Sequence, residues 1–190
     1  MNQMNPEMIL AIAAFILLLV TVAKGVRQVP QGFKWVVQRL GKYNSTLNPG
    51  LNFIIPYIDV VEFKVTTKDI VLDIPSQEVI TKDNAVLITN AVAYINIVSP
   101  EKAVYGVEDY VIAIQTLVQT SLRSIVGEMS LDDALSSRDH IKAKLKAAIS
   151  DDISDWGITL KTVEIQDINP SGTMQKAMEE QAAAERGRRA

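Results

Sequence analysis

The side chains able to do acid–base or metal chemistry are scattered along the chain, and their spacing matches no familiar catalytic pattern. The chain has one histidine and no cysteine, which excludes thiolate zinc sites, multi-histidine metal sites and cysteine nucleophiles. Adjacent carboxylates such as Asp132 and Asp133 diverge by about 100° on a helix, so they do not share a site. His140 directly precedes the apolar Ile141, which favours a position on a helix surface. We therefore predict no catalytic residue, no metal ligand and no cofactor.

Sequence motifs for enzymatic activity are also missing. The chain contains no P-loop, GxGxxG, GxSxG or HExxH pattern, each of which places specific groups on phosphate, a nucleophile or zinc. A Ser–Lys protease stays open as an alternative, because many serines and lysines are present, but no motif selects a pair. We predict that the protein is not an enzyme. A net charge of −3 also argues against nucleic acid as a partner.

The most apolar segment lies at the N-terminus, where Met8–Ala23 contains sixteen residues without a charge. A helix of this length is about 24 Å long, close to the hydrocarbon core of about 30 Å. We predict a single membrane span over residues 8–23, within an anchor of residues 1–27. The span side chains that we expect to face lipid are Met8, Ile12, Phe15, Leu18 and Val22.

Two alternatives for this segment stay open, a cleaved signal peptide and a buried core helix. Signal peptides begin with basic residues, whereas residues 1–7 contain Glu7 and no Lys or Arg. A core helix of a soluble protein normally has a polar stripe, and residues 8–23 have none. Both alternatives therefore explain the segment less well than an anchor does.

Basic residues cluster on the C-terminal side of the span and indicate how it is oriented. The cluster contains Lys24, Arg27, Lys34, Arg39 and Lys42, with no acidic residue from 24 to 43. By the positive-inside rule, the N-terminus lies outside and the remainder on the cytoplasmic side of the cell (inner) membrane. These cations either set topology alone or also bind anionic lipid headgroups. Residues 44–190 carry about −7, so only this cluster should attract anionic lipid.

The hydrophobic pattern beyond the anchor changes from strands to helices and predicts an α+β fold. Residues 28–98 alternate as strands do, with a type II turn at Asn48-Pro49-Gly50 and a strand that Pro75 ends. Residues 99–169 form a second, α/β part. In it, two helices have apolar stripes, Val111–Ile125 and Ile141–Trp156, and a closing strand has a bulge near Lys161–Val163.

The segment Leu51–Ile58 is almost continuously apolar and permits two interpretations. It is either a core strand or a loop that presses Phe53, Ile54, Ile55 and Tyr57 into the lipid interface beside the anchor.

A final helix begins at Asn169-Pro170 in our interpretation and occupies residues 170–190. Beyond Met174 and Met178 it has few large apolar residues, and Glu185 can pair with Arg189 one turn later. Such a helix buries little surface by itself. We predict that it is an oligomerisation helix, the first turns of a helix that needs a partner.

Several stretches together resemble one superfamily. They are Val29–Tyr43 (VPQGFKWVVQRLGKY), Leu47–Asp59 (LNPGLNFIIPYID), Val71–Leu87 (VLDIPSQEVITKDNAVL), Leu122–Leu145 and Trp156–Pro170. In this order they resemble the stomatin/prohibitin/flotillin/HflK-HflC superfamily, also called the SPFH, band 7 or prohibitin-homology domain. Within it, they are similar to bacterial stomatin-like proteins of the QmcA type.

The resemblance implies an N-terminal transmembrane helix, an SPFH domain of mostly antiparallel strands with packed helices, and then a coiled coil. It implies a membrane-anchored scaffold whose copies form homo-oligomeric rings or cages around membrane microdomains. It also implies membrane partners, either a protease of the FtsH type or an NfeD-type protein. The lack of cysteine departs from the palmitoylated animal stomatins.

Overall fold

The computed structural model describes residues 6–189, and the side chains of residues 6–188. The chain divides into two compact units, and the division falls between Lys68 and Asp69 in the sequence. This division differs from the predicted boundary between residues 98 and 99. The reason is strand pairing, because the two strands that follow Asp69 form one sheet with the closing strand near residue 160.

From residue 6 onward, where the structure describes it, the first unit contains one helix and five short strands. These are α1 (Pro6–Gly25), β1 (Val26–Val29), β2 (Phe33–Arg39), β3 (Lys42–Leu47), β4 (Gly50–Phe53) and β5 (Asp59–Thr66). The strands form an antiparallel β1–β4 ribbon and an antiparallel sheet in the order β3-β2-β5. Gly50 has a φ of 112°, the left-handed backbone that the predicted Pro-Gly turn requires.

Helix α1 contains the predicted span and is long and apolar enough to cross a membrane. Its 20 residues correspond to about 30 Å, the thickness of a hydrocarbon core. The five span side chains of the prediction are between 45% and 62% exposed, which contradicts the core-helix alternative. The one hydroxyl near its end, that of Thr21, donates to the Leu17 carbonyl at 2.8 Å, so it does not need water.

The second unit is a three-stranded antiparallel sheet with helices. Its elements are β6 (Ile70–Ile80), β7 (Val86–Ile97), α2 (Pro100–Gly106), α3 (Tyr110–Gly127), α4 (Leu131–Ser136), α5 (Arg138–Asp155), β8 (Ile158–Pro170) and α6 (Gly172–Arg189). The strand order is β6-β7-β8. The α+β class and the mostly antiparallel strands are therefore confirmed.

The two apolar helical stripes build the core of the second unit. Ile114, Val118 and Leu122 of α3 are fully buried, as is the α5 stripe Ile141–Ile153. Helix α3 packs against β6 and α5 packs against β8, and the two helices contact each other. Burying each of these large side chains contributes about 1.5–3 kcal/mol. The ends of the predicted stripes, Val111 and Trp156, are only half-buried.

Strand β6 continues through Pro75, which the sequence analysis placed at a strand end. The pairing with β7 shifts register between Ile74 and Gln77, so the proline lies at a bulge on an edge strand, where no ladder donor is needed. Side chains of α3 form hydrogen bonds to polar groups beside this bulge. Gln115 donates to the Asp73 carbonyl, and Arg123 donates to the Gln77 side chain.

The closing strand has the predicted bulge and runs longer than expected. The register with β7 skips Lys161, which lies within the predicted Lys161–Val163. The strand then continues to Pro170, and α6 begins at Gly172. The Asn169 cap was therefore wrong, because Asn169 still pairs with Ile88 in the sheet. Ser171 caps instead, accepting a hydrogen bond from the Met174 amide.

Candidate functional site

Four of the described carboxylates accept structural hydrogen bonds. All four have pKa values below the usual range, chiefly because a side chain donates to each. These pairs are Asp59 with Arg39, Asp69 with Lys161, Asp83 with Thr81, and Glu164 with Lys142. A carboxylate held ionised in this way is a poor general acid at neutral pH. His140 lies exposed near the start of α5, and the described residues contain no cluster of metal-ligand side chains.

The feature most suited to a function is the junction where α1 meets the first strands. Helix α1 ends at Gly25 and β1 begins at the next residue. The Gly25 carbonyl accepts a hydrogen bond of 2.8 Å from the Ile54 amide. A Cβ on Gly25 would lie 2.5 Å from the Phe53 ring and 2.6 Å from the Ile54 carbonyl oxygen. Glycine is therefore required for this close approach, and the segment after β4 lies directly against the helix end.

The apolar segment Leu51–Ile58 is partly buried, as a core strand would be, and partly exposed, as an interfacial segment would be. Ile54 is only 4% exposed and packs in a small core with Val29, Val37 and Leu47. It is therefore not an interfacial residue, because the β1–β4 ribbon and the sheet enclose it. Its neighbours are exposed, and Leu51 and Tyr57 are 78% and 76% accessible.

Exposed side chains of β4 and of the loop that follows it form a group that we call the junction loop. It consists of Leu51, Phe53, Ile55 and Tyr57, all exposed. Tyr57 lies beside the end of α1: its hydroxyl is 3.5 Å from the Lys24 Nζ, and its ring centroid is 5.6 Å away from the same atom. An aromatic hydroxyl next to a lysine is typical of side chains at a membrane–water interface.

One cation of the basic cluster, Arg39, pairs with a buried carboxylate, unlike the other four. The Arg39 Nε and Nη2 donate to the two Asp59 oxygens at 2.7 and 3.1 Å, and the Asp59 side chain is 2% exposed. The Ile55 amide donates to the same carboxylate at 2.9 Å. Arg39 therefore fixes the start of β5, and its charge is matched, so its assignment to lipid headgroups is not supported by the geometry. The other members, Lys24, Arg27, Lys34 and Lys42, are exposed or half-buried.

We predict that the Arg39–Asp59 pair makes the first unit sensitive to acid. Hydrogen bonding from Arg39 lowers the pKa of Asp59, so the pair stabilises the unit above about pH 4, the usual carboxyl pKa. That contribution is lost as the pH falls through the lowered pKa of the folded state. Asp59→Asn should lower the unfolding midpoint in urea at pH 7 and flatten its decline between about pH 5 and pH 2.

Glu62→Gln provides the control, because Glu62 is an exposed carboxylate on the same strand. It should leave both the midpoint and its pH dependence close to those of the unchanged chain. Equal pH profiles for Asp59→Asn and the unchanged chain would contradict the assignment.

The predicted oligomerisation residues lie on α6, which is exposed over most of its length. Met174 is half-buried, while Met178 and Glu185 are exposed. The side chain of Arg189 is outside the described residues, so its pairing with Glu185 stays a prediction. Helix α6 thus presents methionine and alanine side chains to its surroundings.

Two residues of the junction, Gly25 and Asp59, are not predicted by the sequence pattern. A lysine and then a glycine after an apolar run, as in Lys24-Gly25, is a recognised helix-end signal, and it could have identified the helix end. Asp59 had no such signal, because its partner is 20 residues away in the chain.

Comparison with known proteins gives a consistent result. A sequence profile of the SPFH domain / Band 7 family matches residues 27–190. A protein of Methanothermobacter thermautotrophicus is 42% identical over 183 residues, covering 96% of this chain and 57% of its own. A stomatin homolog of Pyrococcus horikoshii is 42% identical over 173 residues, covering 91% and 65%. Human mitochondrial stomatin-like protein 2 is 40% identical over 162 residues, covering 85% and 46%. The chain thus spans roughly half to two thirds of the length of these curated relatives.

Proposed function

Since the chain belongs to the SPFH domain / Band 7 family, we propose that it is a membrane-anchored scaffold whose copies assemble side by side. In this role it organises membrane microdomains and the proteins within them, and it needs no catalytic centre. The observation that carries the proposal is the junction of α1 with the β1–β4 ribbon. An apolar helix of membrane length continues without a linker into a folded unit, and this suits a protein that holds its folded part at a fixed place on the bilayer.

The charges around α1 support one orientation. Glu7 lies in its first turn and Lys24 in its last, and the exposed Arg27 and Lys42 follow. The positive-inside rule then puts the N-terminus outside and both folded units on the cytoplasmic side of the cell membrane. Reaction of a single cysteine introduced at Asn2 with an impermeant reagent in intact cells would support this topology, and labelling only after lysis would contradict it.

The junction loop is the second part of the proposed membrane contact. Its apolar side chains are exposed, and two of them lie at the end of α1, Phe53 beside Gly25 and Tyr57 beside Lys24. We expect the group to enter the bilayer at the depth where that helix ends. Burying them there would remove apolar surface from water and supplement the anchor. This interfacial position also explains why an apolar segment is exposed next to a basic one.

We propose that α6 contributes to assembly, and we predict that its methionines are needed for the full oligomeric mass. Replacing both Met174 and Met178 with serine removes the large apolar side chains from a helix that buries little by itself. The mass of the detergent-extracted chain, measured by analytical ultracentrifugation, should fall from several copies to one or a few.

Replacing Gln175 and Glu179 with serine is the matched control, since these exposed residues follow each methionine by one position. That double variant should keep the original mass. A mass of one copy for the unchanged chain at working concentration would overturn the assembly proposal.

A second candidate role is the regulation of a membrane protease of the FtsH type or the binding of an NfeD-type partner. Residues 44–190 carry about −7, so a cytoplasmic partner with a basic face would complement their surface. Co-purification after chemical cross-linking in cells tests this role. Recovery of the chain alone would remove the support for it.

A further inference from the structure

A cleft in the first unit lies between β1 and β5, beside the end of α1. It has a volume of about 580 Å³. The side chains that define its chemistry are Arg27, Trp35, Asp59 and Lys64. None of the expected functions of the basic cluster involves Trp35 or Lys64, so the cleft adds a site to the junction.

The cleft is positively charged although a carboxylate lines it. Asp59 already accepts hydrogen bonds from Arg39 and from the Ile55 amide, so its charge is compensated. Arg27 and Lys64 are both exposed, and neither forms a salt bridge with another of the described residues. Arg27 and Lys64 therefore face a cleft in which the one carboxylate, that of Asp59, is already neutralised by Arg39.

One of these cations is held in place by an aromatic ring. The Lys64 Nζ lies 4.7 Å from the centroid of the Trp35 ring, a cation–π contact. Trp35 and Lys64 are also directly paired across β2 and β5. An ammonium restrained in this way loses less conformational freedom when an anion binds. Because the ring face is already occupied by a cation, the ligand that fits is an anion.

The expected depth of Arg27 in the membrane indicates which anions are close enough to bind. Helix α1 spans about 30 Å, so Gly25 lies at the edge of the hydrocarbon core, and the headgroup layer extends about 5–7 Å further. Arg27 is two residues beyond Gly25 in an extended strand, which places it within about 7 Å of the helix end. Arg27 is therefore at the depth of lipid phosphates.

We propose that this cleft binds the phosphate of an anionic phospholipid headgroup, with Arg27 donating two parallel hydrogen bonds and Lys64 supplying the second charge. The site rests on the proposed membrane anchoring by α1, and it gives the scaffold a specific contact with anionic lipid. It differs from a diffuse basic surface because two particular residues, and not their neighbours, hold the phosphate.

The experiment uses the full chain with Trp156→Phe, which leaves Trp35 as its tryptophan reporter. The protein is placed in nanodiscs of phosphatidylcholine with rising fractions of phosphatidylglycerol, and Trp35 emission is recorded. We expect a saturable change at a low phosphatidylglycerol fraction. Arg27→Gln and Lys64→Gln should each raise the half-saturation fraction about tenfold or more, because each removes at least one charged hydrogen bond to the phosphate.

Lys34→Gln and Lys42→Gln are the matched controls, because each removes one charge from the basic cluster outside the cleft. They should shift half-saturation by no more than about twofold, as screened charges do. Equal shifts for all four variants, or no saturation, would overturn the site. Saturation by inorganic phosphate in phosphatidylcholine nanodiscs would overturn the assignment to lipid.

Two further measurements keep the outcome interpretable. Should Trp156→Phe fail to fold, isothermal titration calorimetry of the unchanged chain with dihexanoyl phosphatidylglycerol, and with its phosphatidylcholine counterpart, replaces fluorescence and has the same expected selectivity. Extraction of cell membranes with alkaline carbonate tests the anchor separately. Release of the chain would contradict the proposed function, whereas a retained chain without lipid selectivity would contradict only the cleft.

Discussion

Ile54→Asp should unfold the first unit, whereas replacing Leu51 and Tyr57 with serine should leave it folded. Ile54 is 4% exposed among Val29, Val37 and Leu47, so a carboxylate there is buried among apolar side chains. We expect a loss of at least about 3 kcal/mol in unfolding free energy. Leu51 and Tyr57 are exposed, and surface changes of this kind usually alter stability by about 0.5 kcal/mol or less. Urea unfolding of each variant in the Trp156→Phe background, followed by Trp35 fluorescence, measures both changes in unfolding free energy.

The double serine variant has a different expected effect, which appears only in a bilayer. With Phe53→Trp as the reporter and Trp35 and Trp156 replaced with phenylalanine, lipids brominated in the upper acyl chain should quench the reporter's fluorescence in nanodiscs. Removing Leu51 and Tyr57 side chains should reduce that quenching, because much of the loop's apolar surface is then lost. Absence of quenching in the parent Phe53→Trp protein would contradict the interfacial position.

Gly25→Ala should weaken the connection between α1 and the β1–β4 ribbon. The added Cβ would lie 2.6 Å from the Ile54 carbonyl oxygen, and backbone cannot move aside as cheaply as a flexible side chain. We expect a cost of about 1–3 kcal/mol. The Ile54 amide, which donates to the Gly25 carbonyl, should then exchange its hydrogen faster, and hydrogen–deuterium exchange of this peptide measures the change.

Gly172→Ala is the matched control for this substitution. Gly172 lies at the start of α6, and a Cβ there meets nothing within 4 Å. Alanine favours helix over glycine by about 1 kcal/mol in a helix interior, so this variant should be neutral or slightly more stable. Similar exchange rates for Ile54 in both variants would contradict the close-approach role of Gly25.

Local patterns were sufficient to predict the helices and most strands of this fold. The spacing of Ile141, Leu145, Ile149 and Ile153 specifies one buried helix face, and all four are buried. A cap of the same local kind starts α4, where the Ser130 hydroxyl accepts from the Asp133 amide. These features depend on residues within one or two turns of each other, so the sequence contains all the information they need.

Features that depend on distant residues were predicted less well. Pro75 looks like a strand end until the side chains of α3 that satisfy the bulge are known. Arg39 looks like a free cation until Asp59 is brought to it by the β2–β5 pairing. Ile54 cannot be distinguished from Ile55 by composition, because one faces the core and the other faces outward only once β4 has paired with β1.

The absence of any linker between Gly25 and Val26 has a mechanical consequence. A helix that continues directly into a paired strand has no flexible linker at its end. We therefore expect the β1–β4 ribbon to rotate when α1 tilts. Transmembrane helices tilt more in thin bilayers than in thick ones. The orientation of the first unit relative to the membrane would therefore change with bilayer thickness. In the proposed assembly, first units joined side by side would therefore favour membrane of one thickness.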